Sequence, residues 1–274
     1  KGTIEDLPRE ESYVFESGFL KGKTILVTDD NEMNRLIAST MLRNYEAEIV
    51  EAANGEEAVA MMQKVNPDLV LMDIQMPVLN GYEATRRIRE QQYATPVIAV
   101  TANAIKGENE KCLAAGMNDY ICKPFKEVNL LRIIANWLKH DHSMNKNTEP
   151  GKNDAAAQTL HYDLSALEAI ARGNNQFIHK MLQLFIEQGP ATVEELTAAY
   201  ELNEMERVKK LAHRLKPSID NLGIRAIKNE IREIESHAAD YGKSEHLQAL
   251  IAQLQTEVLK VTDELQDYLS KHQL

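Results

Sequence analysis

Cysteine is scarce. The chain has two, Cys112 and Cys122, in 274 residues, which excludes a disulfide framework and fits a reducing compartment. No apolar run approaches the ~18 residues that cross a bilayer, and no signal peptide is visible. These absences predict a soluble, cytoplasmic segment with no direct membrane insertion. A surplus of positive charge is missing too: 31 Lys and Arg stand against 42 Asp and Glu, a net charge of −11. That excludes non-specific nucleic-acid binding, which relies on Lys/Arg contacts to phosphates, but leaves room for docking on a basic partner. No P-loop is present. The chain begins Lys-Gly rather than Met, as an excised or processed segment would.

What is present falls into two halves of different period, in line with a length that predicts two domains at ~100–200 residues each. Residues 23–140 alternate short apolar runs with helical stretches. The runs are "TILVTDD" (24–30), "AEIVEA" (47–52), "DLVLMDI" (68–74), "PVIAVTA" (96–102) and "DYICKP" (119–124), with "EMNRLIASTMLRN" and "GEEAVAMMQKV" among the segments between them. Five βα units predict a doubly wound α/β fold, a five-stranded parallel sheet with helices on both faces. Residues 1–22 read as a linker from a preceding region, with an aromatic contact from Tyr13 or Phe15. Residues 141–159, polar and containing Pro-Gly, read as a flexible linker. From 160 to 274 the apolar residues recur at spacings of three and four: Ile178, Met181, Leu182 and Phe185, then Val208, Leu211 and Leu215, then Ile227, Ile231 and Ile234, then Leu247, Leu250 and Leu254. Each stripe is one helix face. Together they predict an all-α antiparallel bundle of about four main helices.

In a doubly wound sheet, chemistry sits at the carboxyl ends of the strands. Asp29 and Asp30 follow the first run, Asp73 ends the third, Thr101 the fourth and Lys123 the fifth. Clustered carboxylates repel and call for a cation. An all-oxygen ligand set suits Mg²⁺, which usually binds beside a phosphate. Two carboxylates can hold the metal while Asp73, apart from the pair on the central strand, attacks phosphorus to form an aspartyl phosphate. Lys123 and the metal would neutralise the phosphoryl oxygens. Thr101 would donate a hydrogen bond to the attached phosphate.

The motifs "ILVTDDNEMNR", "DLVLMDIQMPVLNGYEATRRIR", "PVIAVTA" and "GMNDYICKPF" closely resemble those of response-regulator receiver domains. The resemblance implies that Asp73 is the phosphoacceptor and that Asp29 and Asp30 bind Mg²⁺. It also implies that Gln75 adds a backbone carbonyl to the metal. Thr101 and Lys123 match the switch hydroxyl and the phosphate-pairing lysine, and Tyr120 matches the switch aromatic. Met76-Pro77 and Gly81 match the loop after the acceptor strand, where proline and glycine fix the turn.

In the second half, a helical wheel puts Val208, Leu211, Ala212, Leu215, Ile219 and Leu222 on one side and His213 well away, facing solvent. Lys209 and Lys216 share its face. A neutral imidazole is a competent nucleophile near pH 7. Taken alone, His213 reads as an ordinary solvated side chain. However, "LAHRLKPSIDNLGI" resembles histidine-containing phosphotransfer domains, which present one exposed histidine, a lysine three residues on and a downstream Asn-Leu-Gly. The resemblance implies that His213 is a second phosphoacceptor, supported by Lys216. Pro217 departs from the commoner glycine at that position. It cannot donate to the His213 carbonyl, so a kink is expected, with Lys216 pushed from helical angles.

Together the resemblances imply the carboxy-terminal phosphorelay part of a hybrid sensor histidine kinase, whose parent can be membrane-anchored. The expected partners are an upstream kinase core that loads Asp73 and a downstream receiver that takes the phosphoryl group from His213. Intramolecular docking of receiver and bundle is a further expectation. No ATP-binding box is found, so the segment is a phosphotransfer module that needs a donor. One alternative is a phosphorylation-gated binding module whose bundle only dimerises or docks. Another, an aspartyl-phosphate hydrolase, would call for a second aspartate at position 75, where Gln75 stands.

Overall fold

The structure, a computed structural model, describes residues 15–101, 108–138, 161–240 and 242–272. Tyr13 and the expected linker 141–159 lie outside the described residues. Two compact units form, one around a sheet and one around a helical bundle.

Along the chain β1 (Thr24–Thr28), α1 (Glu32–Arg43), β2 (Glu48–Ala52), α2 (Gly55–Val65), β3 (Leu69–Asp73), α3 (Gly81–Glu90), β4 (Val97–Thr101), α4 (Glu108–Ala114), β5 (Asp119–Cys122) and α5 (Glu127–Leu138) alternate. All strand pairs are parallel, in the order β2-β1-β3-β4-β5. Every residue of β3 and β4 is buried. That is why these strands are continuous Val/Ile/Leu runs rather than alternating ones. Helix starts are written locally: Asn54 Oδ1 accepts from the Glu57 amide, and the Glu57 carboxylate accepts from the Ala53 amide, a variant of the capping box. Asn80 caps α3 in the same way through the Glu83 amide.

The segment before β1 was expected to be a linker, yet its described part, 15–22, packs on the fold. Leu20 is fully buried, and its amide donates to the Tyr45 carbonyl at 2.8 Å. The Phe15 ring lies tilted against Phe19, with centroids 4.9 Å apart, and edge-on to Tyr45.

The helical unit has four long helices, α7 (Asn175–Glu201), α8 (Met205–Asn221), α9 (Lys228–Asp240) and α10 (Glu245–His272). A short α6 (Ser165–Ala171) precedes them and a 3-10 turn at Arg225–Ile227 introduces α9. The stripe of Ile227, Ile231 and Ile234 is therefore a turn plus a helix. Gly223 ends α8 at φ +60, and a Cβ there would lie 2.8 Å from the Asp163 carbonyl oxygen. The expected displacement of Lys216 from helical angles needs correcting. α8 continues across Pro217 to Asn221, and Lys216 stays helical. The proline forfeits one backbone bond, while the buried face of Val208, Leu211, Ala212, Leu215 and Ile219 holds the helix. Tertiary packing of an apolar face outweighs local propensity. Among the described residues, no helix is long and apolar enough to cross a membrane.

The loop after β3 turns back beneath the strand it leaves. The Gly81 amide donates to the Ile74 carbonyl at 3.0 Å. A Cβ on Gly81 would meet the Asp73 carbonyl oxygen at 2.2 Å, closer than any side chain can sit. Gly81→Ala should therefore destabilise the sheet unit by about 1–3 kcal/mol, the usual cost of overpacking. Urea unfolding of the variant checks this, and a wild-type midpoint would contradict it.

Candidate functional site

The sheet register assembles the first site. Thr28 pairs with Met72, so Asp29 comes level with Asp73. Asp73 pairs with Val100, and Thr101 lies one residue beyond it. Thr101 in turn pairs with Cys122, so Lys123 extends one step further. Each chemical group thus arrives at one sheet edge because its strand is in parallel register with its neighbour.

Oxygens of Asp29, Asp30 and Asp73 lie within 4.8 Å of one another. Asp29 and Asp73 are 4% and 6% exposed, whereas Asp30 is exposed. Asp29 is held in place: its Oδ1 accepts from the Asn31 amide at 2.9 Å and from Asn34 Nδ2 at 3.1 Å. Asp73 Oδ1 accepts from the Ile74 amide at 2.9 Å and lies 3.1 Å from Lys123 Nζ. The Lys123 ammonium thus meets the carboxylate trio at Asp73. The geometry and the all-oxygen donor set fit a hard divalent cation such as Mg²⁺. Thr101 is buried at the end of β4, and Tyr120 is exposed on the edge strand β5. Gln75 is exposed, two residues past Asp73.

The second site lies between α8 and α9. His213 was expected to face solvent, but its side chain is only 28% exposed. The reason is Glu235, on α9, whose Oε1 lies 2.6 Å from His213 Nδ1. The other oxygen of Glu235 accepts from Lys216 Nζ, also at 2.6 Å. One carboxylate therefore holds both residues, and Lys216 joins the group through it. Burial alone would raise the Glu235 carboxyl. The hydrogen bonds from His213 and Lys216, with the charges of both, outweigh burial and hold it at about 2. A carboxylate at Nδ1 favours the imidazole proton there, leaving the lone pair on Nε2. Sequence reasoning missed Glu235. Its one signal was its place beside Ile234 on the edge of the apolar stripe of α9.

Residues 25–135 match the family model of the response regulator receiver domain, and residues 180–269 match that of the Hpt domain. The signal transduction histidine-protein kinase BarA of Escherichia coli (strain K12) is 29% identical over 246 residues, 88% of this chain and 27% of that protein. The sensor protein GacS of Pseudomonas syringae pv. syringae is 33% identical over 193 residues, 58% of this chain and 21% of that protein. The chain thus spans 27% and 21% of the length of these two relatives. Among solved structures, the receiver domain of sensor histidine kinase PA1611 from Pseudomonas aeruginosa PAO1 is 44% identical. It covers 43% of this chain and 99% of its own, with a TM-score of 0.41.

The depressed Glu235 carboxyl makes a pH prediction. A carboxyl held below its unfolded value stabilises fully above that value, near 4.5, and loses the contribution as pH falls toward about 2. Glu235→Gln should cost about 1–3 kcal/mol at pH 7, as expected for hydrogen bonds between charged groups. Its deficit against wild type should shrink between those two pH values. Urea titrations across that window check both the size and the direction.

Proposed function

We propose that this chain, which carries a receiver domain followed by an Hpt domain, relays a phosphoryl group from Asp73 to His213 and on to a separate receiver. Lys123 beside Asp73, within a trio of carboxylates at one sheet edge, is the observation that carries this reading. An Asp73 oxygen attacks phosphorus as the nitrogen–phosphorus bond of a kinase phosphohistidine breaks. Lys123 pairs with the charge that gathers on the phosphoryl oxygens. The Thr101 hydroxyl donates a hydrogen bond to one of those oxygens. Asp29, Asp30, Asp73 and the Gln75 carbonyl would hold Mg²⁺, whose contribution when bound is charge neutralisation on the same oxygens. The new charge at Asp73 draws Thr101 inward and biases the adjoining loops and Tyr120, a switch of local charge into surface shape.

In the second step His213 Nε2 attacks the phosphorus, the Asp73 oxygen–phosphorus bond breaks, and Asp73 regains its carboxylate. Nδ1 keeps its proton, donated to Glu235. Lys216 supplies positive charge for the phosphoryl group. Pro217 places a rigid ring one turn beyond His213, where it shapes the surface that an incoming receiver meets. The proposed partners are a kinase core as donor and a receiver as acceptor.

The test loads Asp73 with a small phospho-donor and Mg²⁺ and follows the label. Wild type should carry label on Asp73 and then His213. Asp73→Asn should carry none, and His213→Gln should hold it on Asp73. Mixing loaded His213→Gln chains with Asp73→Asn chains should pass label to the latter if transfer runs between chains. Chelation of the metal should abolish loading. Label appearing on the isolated chain from ATP alone would overturn the relay reading. In the same assay Pro217→Gly should change the transfer rate or partner choice, and no change in either would remove the role given to Pro217.

A further inference from the structure

Asp220 is a carboxylate in an unfavourable place. It lies in the last turn of α8, where unpaired carbonyls disfavour negative charge, and its side chain is only 12% exposed. What holds it comes from α9. Arg232 Nη2 donates to Oδ1 at 2.9 Å and to Oδ2 at 2.6 Å, and Lys228 Nζ lies 3.8 Å from Oδ1. Arg232 is itself tied to its own helix, since Nη1 donates to the Lys228 carbonyl.

These residues continue the site at His213. His213, Lys216 and Asp220 stand at i, i+3 and i+7 on α8, one face of the helix. Arg232 and Glu235 stand at i and i+3 on α9. The charges match along the seam. Glu235 lies against His213 and Lys216, and one turn away Arg232 lies against Asp220. Apolar side chains of both helices, Leu215 and Ile219 on α8 and Ile231 and Ile234 on α9, are buried. They make the helices adhere but are non-directional. They tolerate a small slide or roll of α9, whereas a charge-assisted hydrogen bond does not.

We propose that Asp220 and Arg232 form a positioning pair for His213. Their ion pair sets the register of α9 against α8, so that Glu235 reaches both Nδ1 of His213 and Nζ of Lys216. Neither residue touches the phosphoryl group. They act through Glu235, which fixes the tautomer that leaves Nε2 free. The inference rests on His213 being the acceptor in the Hpt domain.

The experiment uses the full chain with Asp220→Asn, Arg232→Gln and the double variant. Circular dichroism reports folding. The ¹⁵N shifts of the His213 ring report its tautomer, and a His213→Gln chain loaded on Asp73 serves as phosphoryl donor for transfer rates. Each single variant should fold, shift His213 from the Nδ1–H form toward a mixture, and slow transfer about threefold to tenfold. The double variant should be no slower than the slower single, because both remove one interaction. A wild-type tautomer signal in folded single variants overturns the proposal, as does a double variant whose loss is the product of both. Should the singles not fold, Arg232→Lys, which keeps the charge and loses the fork, takes their place with the same two outcomes. Label reaching the bundle of a His213→Gln chain would instead refute the acceptor assignment, and the tautomer signal would still report on the pair.

Discussion

The structure depends on parallel register. A parallel ladder ties the end of each strand to that of its neighbour, so residues far apart in the chain reach one edge at nearly the same height. At that edge three carboxylates lie together, with the Lys123 ammonium beside Asp73. Like charges held this close are unfavourable unless a cation joins them, and the fold absorbs the cost by burying β3 and β4 completely. Gly81 follows from the same demand. The loop after Asp73 must return against that residue's own carbonyl, and no side chain fits there.

The bundle solves a different problem with less. A histidine on a helix surface would exchange tautomers and rotamers freely. Here one carboxylate from the neighbouring helix takes His213 Nδ1 and Lys216 together. The paired hydrogen bonds and charges outweigh burial and hold this carboxyl low. The same pair of helices carries the Asp220–Arg232 pair one turn away.

Much of this was legible from residue order. The five apolar runs are the five strands, and "GEEAVAMMQKV" coincides with α2, because a buried strand and an amphipathic helix each impose their period on adjacent residues. Strand ends identify Asp29, Asp73, Thr101 and Lys123 as neighbours once a parallel sheet is assumed. The bundle was less legible. Helix stripes count the long helices but do not reveal that α9 begins as a 3-10 turn. Pro217 argued for a Lys216 pushed from helical angles, which the apolar face of α8 overrode. The residues before β1 read as a linker with an aromatic contact from Tyr13 or Phe15, and yet Leu20 is fully buried there.

The sequence by itself determined the two-part organisation, the sheet and helix faces, and the acid, hydroxyl and ammonium set, since each follows from residue type and short-range spacing. Only the tertiary structure decided that His213 is half-buried, that Glu235 joins it to Lys216, and that Asp220 is held by Arg232. Those contacts depend on which faces of two separate helices meet and at what height, and no local period carries that information.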